Sequence, residues 1–105
     1  MVIETGTPAK TYTITFDRQG GENGTDNATV TFDNHDYLPN SVVVPIRLGF
    51  DFMGYYTQTA GAGEQIVDAG GQWQSNKTGY IDAEGNWKKA DNIVLYAHWQ
   101  AKPLI

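Results

Sequence analysis

Residues 11–16 read Thr11-Tyr12-Thr13-Ile14-Thr15-Phe16, and this strict alternation decides the fold class. Side chains alternate across a β-strand, so Tyr12, Ile14 and Phe16 share one face and three threonines the other. A helix would scatter the same residues around its axis. The run stops at Asp17-Arg18-Gln19-Gly20-Gly21-Glu22-Asn23-Gly24, a stretch dense in turn formers. A second alternation follows, with Ala28, Val30 and Phe32 opposite Thr29, Thr31 and Asp33. Two such runs around a Gly- and Asn-rich loop predict an antiparallel hairpin. Further on, Phe50, Phe52 and Tyr56 suit a core strand with a break at Gly54. Residues 93–99 close the pattern, with Ile93, Leu95, Ala97 and Trp99 on one face and Val94, Tyr96 and His98 on the other. Residues 87–97 also fit a helical drawing, but β-branched and aromatic residues favour strand from 93, after a turn at Ala90-Asp91-Asn92. Leu38-Pro39 and Val44-Pro45 limit the stretch between them to a short turn of helix or an extended crossing. Phe16, Phe32, Phe52, Leu95 and Trp99 are the expected shared core.

The phrase Val67-Asp68-Ala69-Gly70-Gly71-Gln72-Trp73 returns 14 residues later as Ile81-Asp82-Ala83-Glu84-Gly85-Asn86-Trp87. Asp-Ala-x-Gly fits a tight turn, because the carboxylate accepts backbone N–H groups ahead of it and the glycine takes a positive φ. The same turn built twice is the leading reading, with each tryptophan following its turn into the sheet. Two alternatives compete. Calcium loops need several carboxylates at alternate positions, and Asp82 with Glu84 supplies only two. Glycan stacking needs exposed aromatic faces, for which Trp73, Tyr80 and Trp87 are the candidate binding residues.

The bulk properties exclude much else. The 105 residues predict a single domain, about 10–100, with 1–9 as a linker and 101–105 as a tail. A net charge of -5, with seven scattered basic residues, argues against nucleic acid. The absence of cysteine excludes disulfides, thiolate metal sites and a thiol nucleophile. No apolar run approaches the roughly 20 residues of a membrane helix, and residues 1–6 lack the basic start and apolar stretch of a signal peptide. Ser41 and Ser75 sit in no nucleophile motif. His35, between Asn34 and Asp36, and His98 lack metal-ligand spacing. No catalytic residue, metal or cofactor is expected.

Several phrases together carry a family resemblance. They are Tyr12 to Asp17 with Gly20-Gly21, then Leu38-Pro39, then Pro45-x-Arg47-x-Gly49-Phe50-x-Phe52-x-Gly54-Tyr55-Tyr56-Thr57, and last Leu95-Tyr96-Ala97-His98-Trp99. Their order resembles the Listeria–Bacteroides repeat, the family of the internalin B-repeat, across residues 11–100. The stretch from Gln72 to Asp91 departs from it as extra length, which implies an added β-hairpin. The resemblance implies an α+β, β-dominated, β-grasp-like (ubiquitin-like) sheet with at most a short helix. It also implies an extracellular, non-catalytic interaction or spacer module of a bacterial cell-surface or secreted protein, of the stalk and adhesion kind. Its partner would be a surface protein, a glycan or neighbouring repeats of the same parent. An exposed sheet edge and the added hairpin are the expected contact surfaces, and a carbohydrate-binding module is the alternative.

Overall fold

The computed structural model describes residues 10–32 and 42–103. The proposed linker before Lys10, the Leu38-Pro39 phrase and His35 with its flanking residues lie outside them. The chain is β-dominated, with strands β1 (Thr11–Asp17), β2 (Asn27–Thr31), β3 (Phe50–Tyr56), β4 (Gln65–Val67) and β5 (Ile93–Ala101). They form one mixed sheet in the order β2-β1-β5-β3-β4. β1 pairs antiparallel with β2 and parallel with β5, and β3 runs antiparallel to both β5 and β4. Helix is almost absent among the described residues, limited to a single 3₁₀ turn at Thr59–Gly61.

The alternation of residues 11–16 becomes a two-faced strand. Ile14 and Phe16 are buried, while Thr11, Thr13 and Thr15 face outward and are exposed. The hairpin turn runs through positive φ at Gln19, Gly20, Asn23 and Gly24, and an Arg18–Asp26 ion pair of 2.7 Å spans it. In β5, Leu95 and Ala97 are buried between β1 and β3, and Val94 is exposed on the opposite face. The strand reading of residues 93–99 therefore holds over the helical one. Asn92 anchors the start of β5 by accepting the Thr13 N–H at 2.8 Å.

β3 carries a bulge between Phe52 and Gly54. The extra residue shifts the alternation so that Phe52 and Tyr55 meet on the core side, with rings 5.1 Å apart. Gly54 sits at φ 122°, and an added Cβ there would lie 2.5 Å from the Val67 carbonyl oxygen. The core gathers Ile14, Phe16, Val30, Tyr55, Ile66 and Leu95, with Trp87 and Ile81 closing it from above the sheet.

The expected core needs correction at one residue. Phe16 and Leu95 are buried, and Phe52 and Trp99 are half-buried against the cluster. Phe32 is 37% exposed. The β1–β2 register ends at Thr11 opposite Thr31, so Phe32 lies beyond the ladder. Its N–H still bonds to the Lys10 carbonyl at 2.9 Å, and it forms an isolated parallel bridge with Trp87. Trp87 is the wholly buried member of that pair, and Thr31 turns inward beside it.

Candidate functional site

The repeated phrase folds as the same turn twice. In the first copy Asp68 Oδ1 accepts the N–H of Gly70 and of Gln72, both at 2.9 Å. In the second, Asp82 Oδ1 accepts the N–H of Glu84 at 3.0 Å and of Asn86 at 2.9 Å. Gly71 and Gly85 occupy matching positive φ values of 88° and 87°. Single antiparallel bridges close the turns, Val67 to Trp73 and Ile81 to Trp87. The Asn86 backbone N–H is the main cause holding the Asp82 carboxyl below its ordinary value, with the Asn86 side chain, the Glu84 N–H and Lys88 adding to it against the opposing effect of burial. Asp82 Oδ1 is thus turned to backbone groups of its own loop, and Oδ2 accepts the Asn86 side-chain amide at 3.1 Å.

These turns do not project as an added hairpin of regular strands. Trp73 pairs on the outer side of β4, where Gln74 N–H reaches the Ile66 carbonyl at 2.9 Å. A further tight turn follows, with Lys77 N–H bonded to Ile81 O at 2.7 Å. The chain then arrives at Phe32, past the end of β2, through Trp87. Residues 68–91 therefore run from one side of the sheet to the other as a roof over the core face. Phe16, Trp73, Trp87 and Tyr80 form a continuous aromatic series, with centroid spacings of 6.2, 6.3 and 6.3 Å.

The three candidate binding residues are brought together, but facing inward. Trp87 is 0% exposed, and its indole N–H is donated to the Lys89 carbonyl at 2.7 Å. That burial leaves it no face to offer a sugar. Trp73 and Tyr80 are half-buried against the core. The β4 edge, a candidate docking edge, is already paired with residues 72–74.

A different surface feature escapes the sequence reading. A groove of about 910 Å³ opens where the roof ends, floored by Phe50, Phe52 and Trp99 and rimmed by Ile46, Arg47 and Leu48. The roof stops short of this end of the core face, so the Phe52–Trp99 pair, 5.4 Å between centroids, remains half-exposed. Ile46 is 60% and Leu48 100% exposed. Arg47 stacks its guanidinium 3.8 Å over the Phe50 ring. The visible signal was two aliphatic residues flanking an arginine at strand spacing, in a segment with no strand partner predicted for it.

The family model for the Listeria-Bacteroides repeat domain matches residues 12–78, well over half of the chain. The chain belongs to the Listeria-Bacteroides repeat domain family. Comparison with curated proteins and with solved structures gives no match. The family is one of non-catalytic repeat modules found in bacterial surface proteins. The match ends inside the roof, before the second turn and before β5. No described helix is long and apolar enough to cross a membrane.

Proposed function

We propose that this repeat domain is a non-catalytic spacer and interaction module on the outside of a bacterial cell, linking neighbouring domains and contacting a protein or glycan there. The observation that carries this is the parallel pairing of β1, the first strand, with β5, the last. Their register sets Ile14 beside Ile93 and Asp17 beside Tyr96. Thr11 then lies three residues before that point and Ala101 eight after it. At roughly 3.3 Å per residue the ends of the two strands stand about 36 Å apart, at opposite poles of the sheet. A chain entering at one pole and leaving at the other adds its full length to an array. The strand order, with a parallel pair at its centre, supports the β-grasp-like reading of the sheet.

A glycan partner remains a second reading, carried by the exposed parts of Trp73 and Tyr80. The acidic surface favours a neutral glycan or a protein over anionic polymers. The test is a glycan array and a surface-protein pull-down with the intact domain, together with Trp73→Ala. Selective capture of one surface protein or glycan supports the module reading, and loss of glycan capture in Trp73→Ala supports the second. Turnover of any captured substrate by the purified domain would overturn the non-catalytic assignment.

A further inference from the structure

The groove lies at the pole where the chain leaves the sheet. Lys102, directly after β5, lines it, and its N–H is bonded to the Gly49 carbonyl at 2.9 Å. Its floor is the uncovered end of the core face, and its rim holds the fully exposed Leu48. An apolar concavity of this kind, edged by exposed aliphatic side chains, loses free energy when a complementary segment covers it. Its charges narrow the choice of segment. Lys102 is already paired with Asp51 at 3.3 Å. Arg47 has no carboxylate partner among the described residues and is held in place on Phe50. Glu22, also on the rim, disfavours a second acid. The fitting occupant is therefore a segment with an aliphatic pair and one neighbouring carboxylate.

This chain carries that sequence at its other end, as Val2-Ile3-Glu4. We propose that the groove receives Val2-Ile3-Glu4 of a second copy of this chain, with the two aliphatic side chains over Phe52 and Trp99 and the Glu4 carboxylate on Arg47. The contact is head to tail. Within one chain the seven residue steps from Glu4 to Thr11 span at most about 25 Å, short of the roughly 30 Å from Thr11 to Trp99 along the sheet, so a second copy is the fitting donor. A head-to-tail contact between unlike surfaces at opposite poles propagates along a line unless its rotation closes a ring. The inference rests on the spacer reading and names what holds successive units in line.

The test is a titration of the full chain, ¹⁵N-labelled, with a synthetic peptide of residues 1–9. Shifts are expected at the amides of Gly20, Gly49 and Phe52 and at the Trp99 indole. Leu48→Ser removes a fully exposed side chain, so it leaves the fold intact and should weaken binding several-fold. Arg47→Glu should weaken it at least tenfold, and a peptide carrying Glu4→Lys should restore binding to that variant. Absence of groove shifts at millimolar peptide, or binding indifferent to both charge changes, overturns the proposal. If a surface protein or glycan found by pull-down still binds Leu48→Ser and Arg47→Glu while the peptide fails, the groove assignment falls and the module reading stands.

Discussion

Tyr55 is wholly buried, yet its hydroxyl has no hydrogen-bond partner. Burial raises its pKa to about 12, so it is a neutral phenol at any ordinary pH. A buried hydroxyl without a partner costs about 1–3 kcal/mol relative to one that has a partner. Tyr55→Phe keeps the ring against Phe16, 4.7 Å away, and removes only the orphan. Denaturant unfolding should show a neutral change or a gain of up to about 1 kcal/mol; a clear loss would reveal a partner. Asp82 acts in the opposite sense. Its folded pKa is depressed, so its contribution to stability is present above the ordinary carboxylate value and is lost as pH falls through the folded one. Carboxyl titration by NMR should find Asp82 below 3.8. Asp82→Ala should flatten the acid limb of the stability curve, and a parallel limb in the variant would remove Asp82 as its source.

β3 works as an element because its bulge lets one strand serve two needs. Phe50 and Phe52 line the groove, and Tyr55 fills the core, which strict alternation from Phe52 would not allow. Gly54 makes the bulge possible. Gly54→Ala places a Cβ in a left-handed backbone and into the Val67 carbonyl, and should cost about 2–4 kcal/mol in denaturant unfolding. Gly49 is the control, with φ 83° but nothing within 4 Å of an added Cβ. Gly49→Ala should cost only about 1 kcal/mol. Equal costs would mean that close approach at Gly54 does not matter.

At the scale of the molecule, β5 is the strand on which the sheet depends, since it lies between β1 and β3. A fragment ending at Thr78, the limit of the family match, lacks β5, Ile81 and Trp87, and should show no cooperative thermal transition. A folded fragment would place the stability elsewhere. Direction of load should also matter. Pulling between the start of β1 and the end of β5 shears a parallel ladder, whose bonds are loaded together. Pulling between Thr11 and Thr31, which face each other at the open end of the hairpin, unzips its bonds one at a time. Force spectroscopy should therefore record a higher unfolding force for the first geometry than for the second.

The sequence by itself determined what depends on local chemistry. Period-two alternation in β1 and β5 named their inner faces, because the pleat sends successive side chains to opposite sides whatever the partner strand. The two Asp-Ala-x-Gly phrases specified their turns, because carboxylate, backbone N–H and glycine lie within five residues of one another. Tertiary structure alone decided which of two inward candidates took a shared place. Phe32 and Trp87 are 55 residues apart in the sequence, and only their bridge shows that the indole is buried and the phenyl exposed. It also decided that residues 68–91 cover the core instead of standing free, which turned Trp87 from a candidate ligand contact into packing. The groove had the same origin. Ile46 and Leu48 read as ordinary apolar residues, and their exposure follows from where a distant roof happens to stop.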